Sequence, residues 1–496
     1  MNIVLINPKG YDYRCTMPMG LAYIAGALRD HCVKIFDLHY NYDIAALLDY
    51  FLQIDVALAG FSVYGDTFLD VLKTIGQIKR ISPSTRILLG GHYATESADE
   101  ILNHYKEIDI IVRGAGEHAM QRIATSNFND IASIPGICYR DQNEMVIIAK
   151  SLCMPIDIYP DRTKFPTPTQ YSLKTNAQQV TAAIITGRGC INDCSFCAIS
   201  QSTERKWKRR SYEDIEQEIQ ELYEQYDVRH LYFFDADFLL SPQHVKRVCA
   251  MLQKYGDLTF TCTGCVNSVL RCKFLLDDLR NAGCMGIEVG IESAAQTQLD
   301  RYNKHISVSD IDAVTRLLPE HGIPIEIDLI PFDPYVTIDE LQETLCFFYR
   351  NTLTTPEYED RWFITLSLYP GTEYKSMMQK AQQIRDGSHN IYWDFYHKKS
   401  ADYYRYVYYY ENVLWPRVKF IRMRASSIIH KIVNMQDRIH YYRILSVLKS
   451  ITFDYLRDVL YCFTEDSIQA HAHLKVREYT RLLDNYEDAL RSYVDV

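Results

Sequence analysis

The stretch GRGCINDCSFCAIS, residues 187–200, decides how the rest of the chain is interpreted. It carries Cys190, Cys194 and Cys197, separated by three and then two residues. The preceding run, VTAAIITGRG, is β-branched and apolar and breaks at glycines, so it predicts a strand that leads into a loop. Such a loop can wrap three thiolates around one face of a metal group. A structural zinc site or a four-iron cluster takes four ligands, so one position needs another donor.

A structural zinc site is the alternative, and it requires a second Cys or His pair at short spacing. The nearest candidates, Cys262 and Cys265, lie far downstream in LTFTCTGC. That run predicts a strand, in which residues three apart point to opposite faces. We therefore expect Cys262 and Cys265 to diverge and not to act as ligands.

The C-x3-C-x2-C spacing, with Phe196 just before the third cysteine, resembles the signature of radical S-adenosylmethionine enzymes. The resemblance implies that Cys190, Cys194 and Cys197 hold a [4Fe–4S] cluster. The amino and carboxylate groups of S-adenosylmethionine then take the fourth iron, and an electron from the cluster breaks a C–S bond to yield a 5′-deoxyadenosyl radical. The cofactor carries this chemistry, while the protein positions it and excludes water.

Strand-like and helical runs alternate after the cysteine loop. With the strand before the loop, they predict six strands with crossover helices, the last strand being WFITLSLYP. Two helices open with capping patterns, Ser211 with Asp214 and Thr337 with Glu340. The order resembles the partial (β/α)6 TIM-type barrel of the family, whose chemistry lies at the carboxyl ends of the strands. The resemblance implies S-adenosylmethionine contacts at Phe196, Asp235, Asp237, Glu292, Ser293, Pro370 and Gly371.

The first 125 residues alternate five times between an apolar strand-like run and a helical one, which predicts a parallel sheet with helices on both faces. Such sheets bind ligands outside the carboxyl ends of their strands. Here those ends are rich in Gly, Ser and Pro, and glycine lets backbone approach a large flat ligand. Ordinary βα turns are the alternative for any single glycine.

The pieces PMGLAYIAGAL, GFSVYGDT, LLGGHYAT and IIVRGAGE resemble, in this order, the cobalamin-binding domain at the front of many radical enzymes. The resemblance implies cobalamin contacts at Pro8, Gly20, Leu21, Ser62, Tyr64, Asp66, Thr67, Gly90, Gly91, His92, Gly114, Gly116 and Glu117. Cobalamin mutases carry Asp-x-His-x-x-Gly after the first strand, whereas residues 8–20 contain no His. We interpret His39, in DLHYNY, as a turn residue. We expect cobalt to lack a histidine below it, with the loop 62–67 covering that face.

The predicted fold class is α/β, in four parts. These are a Rossmann-like doubly wound cobalamin-binding domain (1–128), a linker with a small hairpin (129–180), a radical S-adenosylmethionine partial barrel (181–384) and a helical C-terminal region (385–496). We expect the aromatic tail to pack as a cap on the barrel.

Its YYYENVLWPRV run resembles tails in the branch related to anaerobic magnesium-protoporphyrin monomethyl ester cyclase. A basic patch of Arg417, Lys419, Arg422 and Arg424 could meet an acidic substrate or a membrane surface, although a charge run is usually a solvated face.

Composition limits the partners. The 496 residues carry a net charge of −10, which argues against nucleic acid as the main partner. The start, MNIVLINP, has no signal-peptide pattern, and no apolar run reaches the roughly 18 residues of a transmembrane helix. We therefore expect a cytoplasmic protein whose 14 cysteines are reduced.

The two resemblances together imply a cobalamin-dependent radical S-adenosylmethionine enzyme. We expect methyl transfer to an unactivated carbon of a small-molecule or natural-product substrate, with flavodoxin or ferredoxin as the electron donor. Radical oxidation or cyclisation without methyl transfer is the alternative. The tRNA methylthiolation enzymes usually add an RNA-binding β-barrel at the C-terminus, which the helical tail disfavours. The intact cysteine triplet argues against a non-catalytic cobalamin carrier.

Overall fold

The computed structural model describes residues 1–10, 16–150, 157–175, 177–381, 384–385, 392–429, 435–464 and 469–491. The strands are β1 Asn2–Asn7, β2 Cys32–Asp37, β3 Leu58–Ser62, β4 Arg86–Gly90, β5 Ile110–Val112, β6 Ile137–Arg140, β7 Val146–Ile147, β8 Thr181–Ile184, β9 Gly187–Gly189, β10 Trp207–Arg209, β11 His230–Phe233, β12 Thr259–Cys265, β13 Cys284–Glu292, β14 Ile325–Leu329, β15 Ile384–Arg385 and β16 Tyr392–Trp393.

The α-helices are α1 Met19–Ala27, α2 Ile44–Gln53, α3 Phe68–Ile81, α4 His92–Glu96, α5 Ala98–His104, α6 Glu117–Ser126, α7 Pro168–Lys174, α8 Ala198–Ser202, α9 Tyr212–Glu224, α10 Pro242–Leu252, α11 Val266–Arg271, α12 Leu276–Asn281, α13 Gln296–Arg301, α14 Val308–Glu320, α15 Ile338–Arg350, α16 Glu373–Lys380, α17 Lys398–Tyr409, α18 Trp415–Ile429, α19 Met435–Leu448, α20 Ile451–Thr464 and α21 Gln469–Arg491. Both predicted caps form: Ser211 accepts from the Asp214 N–H, and Thr337 and Glu340 make a reciprocal capping box.

The first sheet has the order β2-β1-β3-β4-β5-β6-β7. Its first five strands are parallel, as predicted, and β6 and β7 add an antiparallel hairpin at the edge beside β5. Alternate residues along each strand bury opposite faces. Val4 and Ile6 pack with α2, α3 and α5, whereas Ile3 and Leu5 pack with α1 and α6. The sheet is therefore covered by helices on both faces, and its ligand-binding edge lies at the strand ends.

An extended segment, residues 157–165, follows the hairpin, and we call it the strap. The Asp161 N–H donates to Ala22 O of α1 at 2.9 Å. A Cβ at Gly26, one turn along α1, would collide with the backbone oxygen of Tyr159, so only glycine permits this approach. Buried Arg162 donates to the Glu218 carboxylate of α9 and, at 2.6 Å, to Ala183 O of β8. The strap thereby joins α1 to the strands and helices that follow.

The second sheet has the order β14-β13-β12-β11-β8, with β8, β11 and β12 parallel. The sixth strand, expected at 362–370, is wrong: these residues form a 3-10 turn, Asp360–Phe363, and a single parallel bridge between Phe332 and Thr365. Trp362 and Phe363 are both buried. Apolar periodicity does not show whether a run pairs with a neighbour along its length, and this run pairs at one position only.

The C-terminal region is helical, as predicted, and α20 packs on α15 through contacts such as the Tyr349 hydroxyl donating to Asp454. Two of the four charges of the basic patch are paired within the chain. Arg417 pairs with Asp484 and Glu487, and Arg422 pairs with Glu359. Lys419 and Arg424 lie over the rings of Trp415 and Phe420, respectively.

The chain divides into two compact units. The first is Met1–Glu288 with Leu317–Ile325 and Leu368–Tyr392, and the second is Val289–Arg316 with Glu326–Ser367 and Trp393–Val496. Over the described residues, no helix is both long and apolar enough to cross a membrane.

Candidate active site

The cysteine loop begins where β9 ends, after a short antiparallel hairpin with β10. Cys190 and Cys194 are buried and Cys197 is half-buried. Cys197 caps α8, and its N–H donates to Cys194 O at 3.1 Å, which fixes the turn between the last two cysteines. The three thiols therefore lie on a loop, as the sequence predicts.

Cys190 has neighbours from outside the loop. The pKa of its thiol is lowered to about 7, first because the Cys265 thiol hydrogen-bonds to it and also because of hydrogen bonds from Asn192. Asn192 Nδ2 in turn donates to Cys265 Sγ at 3.1 Å. A lowered thiol pKa favours the thiolate, the form that binds iron. The surroundings of Cys190 therefore suit a cluster ligand.

The two aspartates that follow β11, Asp235 and Asp237, differ in their hydrogen-bond partners. Asp235 is fully used by the fold, because its carboxylate accepts from the Thr186 N–H at 2.7 Å and from the Thr186 hydroxyl at 2.5 Å. Burial raises its pKa to about 7. His244 Nε2 lies 2.8 Å from the same hydroxyl and extends this buried chain. Asp235 thus links the end of β11 to the residue that follows β8.

Asp237 is different. It is completely buried, and its Oδ2 accepts from the Ser268 hydroxyl at 2.6 Å, but its Oδ1 has no hydrogen-bond partner. Burial raises the pKa of this carboxyl. A buried oxygen without a donor costs about 1–3 kcal/mol. Asp237, rather than Asp235, therefore has an acceptor left for a ligand.

Glu292 and Ser293 belong to the second unit. Glu292 has a positive φ of 63° and pairs with Lys304 Nζ at 3.2 Å. A non-glycine residue in this region is uncommon, and such residues concentrate at functional sites. The Ser293 hydroxyl, by contrast, accepts from the Ala295 N–H at 3.0 Å and contacts Thr344, so it is engaged in the turn that precedes α13.

The carboxyl ends of the first sheet bring most of the predicted cobalamin residues to one edge. Ser62 and Gly90 are partners in register, and the Val63 N–H donates to Gly90 O at 2.8 Å. Thr67 is buried, and its hydroxyl closes the 62–67 loop on Tyr64, whose side chain stays 51% exposed. Pro8, Gly20, Leu21, Asp66, Gly91, His92, Gly114 and Gly116 follow or flank the ends of β1, β3, β4 and β5.

The predicted cobalamin residue Glu117 and the predicted turn residue His39 both have partners within the chain. Glu117, at the start of α6, is buried and pairs with Arg188 of β9 at 2.5 Å. Arg188 also lies over the ring of Tyr23 at 4.4 Å. His39 accepts from the Gly10 N–H at 3.2 Å, which agrees with its interpretation as a turn residue. Residues 11–15 of the preceding loop lie outside the described residues.

One short segment contacts both predicted cofactor regions. The Tyr374 N–H donates to Ser195 O, between two of the cysteines, at 2.9 Å. Gly371, with φ 78°, lies against the Glu96 carboxylate of α4, and a Cβ there would collide with it. Pro370 is buried next to it. Residues 370–374 therefore connect the cysteine loop to the strand-end edge of the first sheet, all within the first unit.

Comparison with known proteins gives two family matches: the B12 binding domain at residues 12–124 and the Radical SAM superfamily at residues 184–348. An uncharacterised methyltransferase of Pyrococcus horikoshii is 25% identical over 72% of this chain and 77% of its own length. The anaerobic magnesium-protoporphyrin IX monomethyl ester cyclase of Rubrivivax gelatinosus is 27% identical over 55% of this chain, and the match spans only half of the cyclase.

The solved structure of the cobalamin-dependent S-adenosylmethionine radical enzyme OxsB, with aqua-cobalamin and S-adenosylmethionine bound, has a TM-score of 0.73. The alignment covers 99% of this chain and 78% of OxsB at 17% identity, so it supports the fold. The chain therefore carries both a B12 binding domain and a Radical SAM domain. These two families imply three cofactors: a [4Fe–4S] cluster and S-adenosylmethionine for the Radical SAM match, and cobalamin for the B12 binding match.

The enzyme's own residues fit these groups. Three thiols on one loop, one of them with a lowered pKa, match the donor set of an iron–sulfur cluster. Across the described ranges, no three His, Cys, Asp or Glu side chains converge closely enough to hold a single metal ion. A cluster does not need such convergence, because its cysteines bind separate iron atoms.

Sequence reasoning did not predict that Glu96, Asn192, Cys265 and Tyr374 contact the predicted site residues or the backbone between them. A signal for Cys265 was present, since Thr261, Thr263 and Cys265 alternate along one face of β12 while Cys262 is buried on the other. The divergence of Cys262 and Cys265 is confirmed. Nothing in the sequence indicates that Gly371 approaches Glu96, because that contact depends on the tertiary fold.

Proposed function

We propose that the enzyme transfers a methyl group to an unactivated carbon of a small-molecule substrate. When bound, the cofactors supply a radical that activates the carbon and a cobalt-bound methyl group that the carbon receives. The observation that carries the proposal is the link through residues 370–374. It joins the Ser195 backbone of the cysteine loop to Glu96 beside the first sheet's ligand edge. A substrate carbon must meet both reagents in turn, and short distances between reacting groups greatly accelerate such steps.

Named residues have distinct proposed roles. Cys190, Cys194 and Cys197 hold the cluster, and Asp237 offers its open Oδ1 to the amino group of S-adenosylmethionine. The glycine-rich backbone at residues 90–91 and 114–116 allows close approach of the corrin ring. Tyr64, half-exposed in the 62–67 loop, would lie against the bound cobalamin on the side where we expect no histidine.

A second candidate is radical oxidation or cyclisation without methyl transfer. The similarity to the Rubrivivax gelatinosus cyclase favours it. Both candidates need an external one-electron donor, for which we propose flavodoxin or ferredoxin.

The stoichiometry of the by-products distinguishes methyl transfer from radical oxidation or cyclisation. Reconstituted enzyme is incubated anaerobically with S-adenosylmethionine and a candidate substrate, and S-adenosylhomocysteine and 5′-deoxyadenosine are quantified by mass spectrometry. Methyl transfer consumes two molecules of S-adenosylmethionine per product, so the by-products accumulate in near-equal amounts. If 5′-deoxyadenosine accumulates with a product that has gained no methyl group, the second candidate replaces the first.

A further inference from the structure

The helix pair α18 and α19 carries a charge opposite to that of the chain as a whole. Residues 415–449 contain eight basic residues and one acidic residue, whereas the whole chain has a net charge of −10. Arg417 and Arg422 pair with carboxylates of the same unit. Lys419 and Arg424 are exposed and lie over aromatic rings. A local surplus of exposed cations on an acidic protein favours an anionic partner.

Helix α18 is apolar on two opposite faces. Val418, Ile421 and Ala425 are fully buried, at the spacing of three and four residues that defines one face of a helix. Phe420 and Met423 lie on the opposite face, where they are 49% and 60% exposed, respectively. Single exposed apolar residues are normal on a protein surface, but a ring and a thioether one helical turn apart form a patch, which is typical of an interaction site.

The neighbouring helix α19, which packs on α18, repeats this arrangement. Ile444 and Leu448 are buried, whereas Ile439 and Tyr442, three residues apart, are exposed. Arg443 is exposed next to Tyr442. Both helices therefore combine a buried apolar face with exposed apolar side chains and exposed cations.

The cations of α18 flank its exposed apolar residues. Each residue of a helix turns by about 100°, so Lys419 and Arg424 lie about 70° to either side of the midpoint between Phe420 and Met423. Long basic side chains at such positions lay their stems along apolar surface and keep their charges in water. An apolar strip between two cations matches the boundary between acyl chains and anionic headgroups. An acidic macromolecule would attract the cations, but it gives no reason for the exposed ring and thioether between them.

We propose that α18 and α19 dock the enzyme on the surface of a bilayer that contains anionic lipids. Phe420 and Met423 enter the boundary of the acyl chains, while Lys419 and Arg424 contact the headgroup phosphates. Each cation near such a surface strengthens binding about fivefold, and salt screens this attraction. Burial of the two apolar side chains adds a contribution that salt does not screen. The inference does not depend on which reaction the enzyme catalyses.

The test is flotation of the full-length enzyme with vesicles of phosphatidylcholine alone or of equimolar phosphatidylcholine and phosphatidylglycerol. We expect wild type to float with the anionic vesicles, far less with the neutral ones, and less as salt is added. Phe420→Ser combined with Met423→Ser should lower the partition coefficient about tenfold or more. Lys419→Gln combined with Arg424→Gln should lower it roughly 25-fold. Because all four side chains are exposed, these substitutions should leave the fold intact.

The matched control combines Met145→Ser with Phe274→Ser, which removes the same two side-chain types at exposed positions of the first unit. It should bind the anionic vesicles as wild type does. Three results overturn the inference. The first is a wild-type enzyme that does not float with the anionic vesicles, and the second is a control that loses as much binding as Phe420→Ser with Met423→Ser. The third is binding that survives Phe420→Ser with Met423→Ser but not Lys419→Gln with Arg424→Gln, because a purely electrostatic contact would indicate an acidic macromolecule instead of a bilayer.

Discussion

Two buried carboxylates, one in each compact unit, are treated in opposite ways. Glu359 in the second unit has donors on both oxygens, with Arg422 reaching each of them at 2.5 and 2.7 Å. Trp415 and Thr452 add two more hydrogen bonds at 3.0 and 2.6 Å. Asp237 in the first unit is equally buried, yet its Oδ1 has no partner. The comparison teaches that a buried carboxylate that stabilises the fold has both oxygens hydrogen-bonded within the chain. A buried carboxylate that binds a ligand keeps one oxygen free to accept a hydrogen bond from that ligand.

The largest expected effect concerns the cysteine loop, which lies in the first unit together with Asp237. Cys194→Ala should abolish both the brown chromophore and all 5′-deoxyadenosine formation, because two remaining thiolates cannot hold the cluster. Absorbance after reconstitution and chromatography of the reaction products measure the two losses. Cys346→Ala, at an exposed position of α15, is the control and should keep both the chromophore and 5′-deoxyadenosine formation. A Cys194→Ala protein that retained either property would contradict the assignment.

Glu359→Ala tests the carboxylate whose oxygens are both hydrogen-bonded within the chain. It leaves the Arg422 guanidinium, 17% exposed, without its buried partner, and breaking such a pair costs about 3–5 kcal/mol. Urea unfolding followed by tryptophan fluorescence should show this loss, with Trp415 as a local reporter. Binding of S-adenosylmethionine under native conditions should be unchanged. A change below about 1 kcal/mol would mean that Glu359 does not hold the tail in place.

The paired variants Asp235→Asn and Asp237→Asn sharpen the comparison within one strand end. An amide at 235 would point N–H groups at the Thr186 donors, so we expect about 1–3 kcal/mol of lost stability. At 237 we expect near-normal stability but roughly tenfold weaker binding of S-adenosylmethionine, through loss of a charged acceptor. Denaturation and calorimetric titration measure the two quantities. Identical behaviour of the two variants would remove the distinction between them.

The smallest effect is expected at the exposed pair of Arg417 and Asp484. Asp484→Asn should cost no more than about 1 kcal/mol, because Asp484 is 55% exposed and surface pairs are weak. The same urea titration measures it, and added salt should reduce the difference from wild type. A loss of stability as large as that of Glu359→Ala would show that burial does not determine how much each ion pair contributes to the free energy of unfolding.

Sequence patterns predicted the parts of this molecule that depend on local periodicity. The five parallel strands of the first sheet, the Ser211 and Thr337 caps and the helical tail all follow from residues near one another in the chain. The prediction of a sixth barrel strand failed because its apolar run pairs with a neighbour at one position only, between Phe332 and Thr365, and an apolar run does not specify pairing.

The candidate site was only partly predictable, for a related reason. The cysteine spacing identifies its own chemistry, but the difference between Asp235 and Asp237 depends on Thr186, which lies 49 residues before Asp235. The contact of Asn192 with Cys265 spans 73 residues. Such contacts are set by which strands become neighbours, so they are absent from any short sequence window.

The strap has a consequence for how the enzyme can be divided or recombined. Because Tyr159 fills the groove above Gly26 and Arg162 is buried against Glu218 and Ala183, residues 157–165 belong to both neighbouring modules at once. A shortened chain that stops at residue 150 would uncover the glycine groove on α1, and one that starts at residue 166 would leave the Glu218 carboxylate without Arg162. Swapping the cobalamin module between related enzymes should therefore succeed only when the strap and the first helix are exchanged as a matched pair.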